Sequence, residues 1–353
     1  MNTEDIHEKH RFATRRGFLR GAALGASGLA FGGGMIPGAA RAIPKAPDES
    51  KVSFVTGTDR RQMVLKALEP FKKEIAKGIQ NKQVVIKVNL AAPYIPLTAT
   101  HPDAVRALLD FLIPIYRKEI LLVESPAGND PVEKLFSHYG YDPLLKEYPV
   151  RFIDLNLQKA SPFFILGNNL EPKKIQLIDM LCDPNNYIFS ITRPKTHDTV
   201  IITLGLKNVV MGAPLKIPGG ESFKRPMHGI GPWWLHYNLY TVAQASRPNF
   251  TIIDGLEGLQ GDGPTKGDPV DHRIALAGTD VIAVDRIATD CMGVDIADMG
   301  YLNFCAEAGL GNTDLGRIKI IGSEKPADHV IKYRLRQNIA WQMQWRQELP
   351  LVK

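Results

Sequence analysis

Short apolar blocks and longer amphipathic blocks follow one another along most of this chain. Short apolar runs bounded by Gly, Pro and polar residues predict strands at 52–55, 84–90, 120–123, 150–154, 175–180, 187–191, 250–254, 273–277 and 318–321. Apolar residues spaced by three or four predict helices over 59–79, 101–116, 131–139, 233–245, 281–292 and 329–347. The segment 212–232 is rich in Gly and Pro and predicts a loop.

The repeated strand–helix–strand order predicts an α/β fold, in which a largely parallel mixed sheet is flanked by helices. One such sheet and two α/β subdomains both fit the pattern. In parallel sheets, chemistry gathers in the loops that leave the carboxyl ends of the strands. Polar residues follow several predicted strands at that end, among them Lys87, Asn89, Glu124, Asp154 and Asp254.

The N-terminus carries a pattern typical of protein export. Adjacent Arg15 and Arg16 precede a weakly apolar stretch at 21–36, and Ala40-Arg41-Ala42 then supplies a small-residue cleavage site. This order is typical of a twin-arginine export signal, whereas a basic tail or an uncleaved anchor is the alternative. The predicted organisation is a signal peptide at 1–42, a linker at 43–50, an α/β domain at 51–325 and a C-terminal helix at 326–353.

Export would place the mature protein in the periplasm or outside the cell, with the twin-arginine translocase as a transient partner. The apolar stretch is too short to span a bilayer comfortably, so we expect no stable membrane insertion after cleavage. Trp341 and Trp345 would share one face of the C-terminal helix and would dock on the protein's own core or on a partner.

Charge and cysteine content exclude several classes. The formal net charge is +6, of which residues 1–42 supply half, and the remainder has no Lys/Arg run of the kind that binds nucleic acid. The three cysteines, Cys182, Cys291 and Cys305, form no C-x-x-C pair, so iron–sulfur clusters and zinc ribbons are unsupported. We expect buried free thiols, and a disulfide between Cys291 and Cys305 is the alternative.

The densest cluster of reactive side chains is the segment 193–198, which includes Lys195 and His197 directly after a predicted strand. Lys207 follows ten residues after His197 inside an apolar stretch. A buried lysine needs an anion or a covalent adduct, or its pKa falls; the alternative is a lysine that reaches solvent at a helix edge. Together with His228, in the Gly/Pro-rich loop, these residues are the candidate catalytic groups.

Other polar residues are candidates for holding a cofactor or a metal. Lys87, Asn89, Asn208, Gly261 and Gly263 form the cofactor-binding set, because clustered glycines let backbone approach a ligand closely; a tight turn explains the two glycines equally well. The candidate metal ligands are His197, His228, Asp254 and Asp262. No P-loop, dinucleotide fingerprint or G-x-S-x-G is present.

Several of these motifs occur together in one order. The series comprises Lys87-x-Asn89, Lys195-Thr196-His197, Lys207-Asn208 with Gly212, Asp254-Gly255, Gly261-x-Gly263-Pro264 and Ala283-Val284-Asp285. Over about 52–322 the chain resembles the domain of unknown function 362 family. The resemblance implies no established reaction. Some members of that family carry ferredoxin-like iron–sulfur modules, for which this chain lacks the cysteines.

The order of His197, Lys207 and His228 is distantly similar to that in the nickel-pincer lactate racemase family. In that family a lysine holds the pincer cofactor covalently, one histidine binds nickel, and others act in acid–base steps. The interval from Lys207 to His228 is longer here. The resemblance implies a metal or metal–organic cofactor near Lys207, either a divalent metal or a nickel-type organometallic group.

These observations predict an exported, metal- or cofactor-dependent enzyme that acts on a small anionic or hydroxylated substrate through a Lys/His site. The expected chemistry is that of a racemase, an epimerase or an oxidoreductase, while phosphoester hydrolysis would instead use Asp254, Asp262 and a metal. The alternative is a periplasmic accessory protein that binds a ligand or cofactor without turnover. The partner in either case is a small molecule, and no nucleic acid is expected.

Overall fold

The computed structural model describes residues 46–90, 95–126 and 128–347. The predicted signal peptide and the first residues of the predicted linker therefore lie outside the described residues. The end of that linker belongs to the folded body. The Ala46 N–H donates to the Gly309 carbonyl at 2.8 Å, and Ser50 is the first residue of a strand.

One sheet of ten strands forms the centre of the molecule, and a separate hairpin lies beside it. The strands are β1 Ser50–Thr56, β2 Gln83–Lys87, β3 Ile120–Glu124, β4 Val150–Asp154, β5 Ala160–Leu166, β6 Pro172–Ile178, β7 Asn186–Thr192, β8 Lys195–Thr196, β9 Ile202–Thr203, β10 Phe250–Gln260, β11 Asp268–Gly278 and β12 Ile318–Ile321. The main path of the sheet is β12-β1-β11-β10-β7-β2-β3-β4, and on it β11 alone runs against the others. Strands β5 and β6 form the hairpin.

Helices cover both faces of this sheet. They are α1 Arg60–Leu68, α2 Lys72–Ile79, α3 Pro102–Leu112, α4 Val132–His138, α5 Asp142–Glu147, α6 Gly205–Val210, α7 Pro232–Ala243, α8 Val281–Cys291, α9 Gly300–Glu307 and the single turn α10 Ile339–Gln342. Side chains fix several of their starts, since Asp59 accepts a hydrogen bond from the Gln62 N–H and Asp280 accepts from the Ile282 and Ala283 N–H groups.

The sheet separates two hydrophobic cores because successive residues of a strand point to opposite faces. In β2, Val84 and Ile86 pack on one side with α1, α3 and α4, whereas Val85 packs on the other with α6 to α9. Both faces of the central strands are therefore buried, as expected for parallel strands. The predicted α/β class, with a mostly parallel sheet flanked by helices, is confirmed, and the strands join one continuous sheet rather than two subdomains.

The predicted helix over 59–79 is interrupted. Pro70 lies in a 3₁₀ turn, Glu69–Phe71, between α1 and α2, because proline lacks the N–H that a continuous helix needs. The short helix α5 and strand β5 were not predicted.

The predicted C-terminal helix over 326–353 is wrong for the described part, 326–347. This part contains a 3₁₀ turn, Pro326–His329, then irregular chain, the single turn α10 and a second 3₁₀ turn, Met343–Arg346. Tertiary contacts divert the backbone from helical pairing: the Tyr333 N–H donates to Met292 O at 3.0 Å, and Arg334 O accepts from the Gly261 N–H at 2.7 Å.

Among the described residues, no helix is both long enough and apolar enough to cross a membrane. Cys291 and Cys305 are buried free thiols, so the disulfide that the sequence left open is not formed in this structure. Burial raises the pKa of the Cys291 thiol to about 12 and raises that of Cys305 as well, so neither is a thiolate near neutral pH.

Candidate functional site: a lysine-rich crevice

The site lies where the order of the strands reverses. From β2 the chain proceeds outward through β3 and β4, and it then returns to place β7 and β10 on the opposite side of β2. A crevice between β2 and β7, at the carboxyl ends of the strands, is the usual ligand position in such sheets. Lys87 ends β2 beside Ser190 of β7, so both residues line this position. We call the polar groups gathered here the crevice.

A buried ion pair forms the centre of the crevice. Lys87 Nζ donates to Glu124 Oε1 at 2.5 Å, and the carboxylate also accepts from the Leu90 and Ser125 N–H groups, both at 2.6 Å. Asn208 connects β2 and β7, because its amide donates to Lys87 O at 3.0 Å and to Ser190 Oγ at 3.1 Å. Its oxygen lies 3.2 Å from Lys87 Nζ. Lys87 and Glu124 are 1% and 3% exposed, so each needs the other to offset the loss of water.

Two further lysines are buried nearby, and oxygen atoms satisfy both. Lys195 Nζ donates to Thr98 O at 2.7 Å and to Asn89 Oδ1. Lys224 Nζ donates to Ser125 Oγ at 2.8 Å and to Met211 O at 3.0 Å. Burial first, and then the charges of neighbouring lysines, lower the pKa of each to about 7.

Lys207 and His197 form a direct pair. Lys207 Nζ lies 2.9 Å from His197 Nε2, and the side chains of both are more than nine-tenths buried. Burial lowers the pKa of Lys207 to about 8. Burial and then the charge of Lys207 hold the pKa of His197 well below its ordinary value, so the imidazole is neutral at neutral pH.

Hydrogen bonds from more distant parts of the chain fix the backbone around both members of this pair. Asp285 accepts from the Gly205 and Leu206 N–H groups, each at 2.9 Å, and so fixes the start of α6, which carries Lys207. Gln342 accepts from the Ile201 N–H at 2.6 Å and donates to the His197 carbonyl at 3.0 Å. A buried carboxyl group must be hydrogen-bonded, and these two bonds satisfy Asp285 while they position the helix.

His228 ends a 3₁₀ turn, Pro226–His228, and is less buried than His197. Its Nδ1 lies 3.3 Å from Lys224 O. Burial lowers the pKa of His228, and the charge of Lys207 lowers it as well. The imidazole therefore feels the charge of the Lys207–His197 pair.

The four predicted metal ligands do not come together. Asp254 is buried in an ion pair with Arg60 at 2.9 Å, whereas Asp262 is largely exposed and lies 4.0 Å from Arg336. His197 presents Nε2 to Lys207 and Nδ1 to the Thr199 N–H, which leaves no nitrogen directed at an open position.

Residues 46–90, 95–126 and 128–347 contain no group of three or more His, Cys, Asp or Glu side chains that could hold a metal ion. A metal centre needs several donor atoms that converge on one point. Among the described residues, the four predicted ligands therefore do not converge as one divalent-cation site.

The two predicted cofactor-binding glycines face the protein's own chain. A Cβ at Gly263 would lie 2.1 Å from Thr196 O, and one at Gly261 would lie 2.7 Å from the Arg334 guanidinium. Thr196 Oγ1 donates to Gly261 O at 3.0 Å. The contacts support the tight-turn alternative, in which this loop packs on β8 and positions Lys195. The remaining members of that set, Lys87, Asn89 and Asn208, line the crevice.

Sequence reasoning noted Glu124 as a polar residue at a strand end but did not include it, Ser125 or Lys224 among the candidate site residues. Glu124 and Ser125 stand at the end of a fully buried strand, where their polarity was the available signal. Lys224 lies in the Gly/Pro-rich loop, which has no periodicity from which its burial could be predicted. Arg193 is also buried, and it joins Arg60 around Glu257.

The fold and the crevice define an α/β protein with a lysine-rich polar site at the topological switch point of its sheet. The chain belongs to the family described as Domain of unknown function (DUF362), whose model matches residues 84–290. This match confirms the family that the motif series indicated, and it includes the crevice residues from Lys87 to Asp285.

A thylakoid-associated protein of Synechocystis sp. is 24% identical over 235 residues, which cover 65% of this chain and 69% of that protein. The structure of the lactate racemase apoprotein from Thermoanaerobacterium thermosaccharolyticum matches with a TM-score of 0.40 and 16% identity, over 66% of this chain and 55% of that one. A protein from Thermotoga maritima matches with a TM-score of 0.35 and 15% identity, over 56% of this chain and 51% of that one. The chain spans about half the length of these two solved chains.

Proposed function

We propose that the crevice binds a small anionic substrate and that the Lys207–His197 pair transfers protons to and from it. The observation that carries the proposal is an excess of buried lysine amines over buried carboxylates. Lys87, Lys195, Lys207 and Lys224 are each at most 7% exposed, and Glu124 is the one carboxylate bonded to any of them among the residues described. An anion that enters would complete the charge balance.

Carboxylate and phosphate oxygens suit such a site because ammonium groups donate hydrogen bonds and accept none. A bound anion would stabilise the charged form of the surrounding lysines. Lys207, with a pKa of about 8, is close to the range in which a general base works well at neutral pH. The proposed reaction class is proton transfer at a carbon next to a carbonyl or carboxylate, as in racemases and epimerases.

Binding is tested by calorimetry with inorganic phosphate and with malonate at pH 7. We expect Lys195→Met to weaken binding at least about tenfold, since one ammonium contact is worth on the order of 1.4 kcal/mol or more. Lys174→Met is the matched control, because Lys174 is exposed on the β5–β6 hairpin. Absence of anion binding by the wild-type protein would overturn the proposal.

Turnover is tested by proton magnetic resonance in D₂O. The C–H signals of pyruvate and of dihydroxyacetone phosphate should decay in the presence of the wild-type protein and persist with Lys207→Met. Anion binding without any exchange would instead favour the alternative function, a binding protein or accessory protein without catalysis, for which the ammonium groups of Lys195 and Lys224, held in place by their oxygen partners, would supply the hydrogen-bond donors.

Export through the twin-arginine route is part of the proposal and rests on the N-terminal pattern alone. The test is fractionation of cells that express the full chain. Replacing Arg15 and Arg16 together by lysine should retain the protein in the cytoplasm at its full length, whereas the parent should be shortened and exported. Export of both versions alike would contradict the predicted route and its translocase partner.

A further inference from the structure

Lys207 differs from the other buried lysines in its partners. Lys87, Lys195 and Lys224 each donate to two or more oxygen atoms. Within the part of the chain that the structure describes, Lys207 Nζ has a single hydrogen-bonding partner, the ring nitrogen Nε2 of His197. A buried ammonium group in that position would leave two of its three N–H donors without an acceptor, which is costly in an apolar environment.

The partners of His197 indicate which atom holds the proton. Its Nδ1 receives the Thr199 N–H at 3.0 Å and the Val200 N–H at 3.4 Å, so that nitrogen acts as an acceptor. A neutral imidazole carries one proton, which then belongs on Nε2 and points at Lys207. Asp198 Oδ1 lies 3.1 Å from Nδ1 and favours the opposite tautomer, but this carboxylate is half exposed and also accepts from Thr199 Oγ1.

With the proton on Nε2, His197 donates and Lys207 accepts, which requires the lone pair of a neutral amine. We propose that Lys207 is a nucleophilic amine that forms an imine with the carbonyl group of a small oxo acid. This inference rests on the proposed anion site and names its substrate class: the carboxylate is bound by the neighbouring lysines while the carbonyl carbon meets Lys207.

The chemistry needs one proton from solvent and no other reactant. The lone pair of Lys207 Nζ attacks the carbonyl carbon, the C=O π bond breaks, and a proton moves from nitrogen to oxygen to give a carbinolamine. Uptake of one solvent proton on the hydroxyl group and loss of water then give the protonated imine, which draws electrons from the adjacent carbon and makes its C–H bond acidic. His197 Nε2 is placed to exchange a proton with the nitrogen or with the departing oxygen.

The location supports an acid as the carbonyl compound. Lys195 Nζ donates to Asn89 Oδ1, and Asn89 Nδ2 donates at 3.3 Å to Asn208 Oδ1, on the residue that follows Lys207. Lys224 Nζ donates at 3.0 Å to Met211 O, one turn beyond Lys207. The charge of Lys207 also lowers the pKa of Lys195 and of Lys224, so the three amines can act on one small ligand. A neutral aldehyde would leave two of these charges uncompensated, whereas an oxo acid supplies the missing anion together with the electrophile.

The test is reductive trapping on the wild-type protein. Glyoxylate or pyruvate is added with sodium cyanoborohydride, and the modified lysines are located by peptide mapping. We expect a carboxymethyl or carboxyethyl group on Lys207 at least tenfold more often than on exposed Lys174. Trapping should increase with pH and level off above about 8, because the amine must be unprotonated. Modification spread over exposed lysines, with none at Lys207, overturns the inference.

Malonate separates this inference from the proposed function, because it is an anion without a reactive carbonyl. Binding of malonate without trapping at Lys207 would refute the imine and leave the anion site standing. Failure of both experiments would refute both proposals. Lys207→Arg removes the nucleophilic amine and should give no adduct at position 207, while the slow modification of exposed Lys174 should not change; an adduct that forms equally fast elsewhere in the crevice would refute the role of Lys207. If this variant does not fold, the peptide map of the trapped wild-type protein still shows whether Lys207 carries the adduct.

Discussion

Replacing Glu124 by glutamine removes the negative charge at the centre of the crevice while it nearly preserves the shape of the side chain. In the structure this carboxylate accepts from Lys87 Nζ at 2.5 Å and from two backbone N–H groups at 2.6 Å. It also raises the pKa values of Lys195 and Lys224 against the effect of burial. Glu124→Gln would leave Lys87, which is 1% exposed, as a buried charge without a counter-charge.

Removing one partner of a buried ion pair costs about 3–5 kcal/mol, so we expect Glu124→Gln to lower the free energy of unfolding by that amount at pH 7. The assay is urea unfolding followed by tryptophan fluorescence, because Trp233, Trp234 and Trp345 are buried. The slope of the transition should not change, since the surface exposed on unfolding is nearly the same.

Two controls make the interpretation specific. Glu119→Gln removes the partner of Arg151 in an ion pair of 3.0 Å whose side chains are 49% and 61% exposed, and such a pair is worth at most about 1 kcal/mol. Adding Lys87→Met to Glu124→Gln should recover part of the loss, because the uncompensated charge is then gone. A loss of less than about 1 kcal/mol for Glu124→Gln, or no recovery in the double variant, would refute the reasoning.

Three further predictions concern stability. Burial lowers the pKa of three crevice lysines from 10.5 to about 7 or 8, so the unfolded chain binds more protons than the folded chain above pH 7. From about pH 7 to 8.5, before thiols and tyrosines titrate, the free energy of unfolding should therefore rise by on the order of 1 kcal/mol per lysine; a flat or falling urea midpoint would contradict this. Gly263→Ala would place a Cβ 2.1 Å from Thr196 O and should lower the free energy of unfolding by about 1–3 kcal/mol. Gly128→Ala, with nothing described within 4 Å, should change it by less than about 0.5 kcal/mol. Equal melting temperatures of the two variants would contradict the close packing of Gly263 on Thr196. Trp345→Ala should lower the free energy of unfolding, measured in urea, by about 3–5 kcal/mol because the indole is fully buried. Trp341→Ala, at 40% exposure, should lower it by less than about 1 kcal/mol. Similar losses would mean that burial of the indole does not determine the stability cost.

The central elements could be predicted because their patterns are local. Apolar runs such as 84–90 and 120–123 are buried on both faces, and each became a strand of the parallel sheet. The helix start at Pro102 was visible as well, since proline fits a first helical turn. The C-terminal segment had a helical pattern too, yet it took another structure because Tyr333 and Arg334 bond to distant parts of the chain.

The candidate site was predicted in part. His197 and Lys207 are in direct contact, and Lys195 is linked through Asn89 to Asn208, the residue after Lys207. Asp254 and Asp262 also follow a strand, but an arginine contacts each of them, and no local pattern shows which side chain a distant residue will meet. Lys224 was missed for the same reason, since its loop is ordered by contacts rather than by periodicity.

By itself, the amino-acid sequence determined the class of fold, the family and the strand ends at which chemistry could occur, because periodicity and short motifs act over neighbouring residues. The tertiary structure alone decided that four lysines share one buried crevice with Glu124 and that Asp254 forms an ion pair with Arg60. It also decided that Lys207 Nζ has only His197 Nε2 as a hydrogen-bonding partner among the described residues. Those facts depend on pairs far apart in the chain, such as Lys87 and Asn208, which meet only after the sheet has placed β2 beside β7.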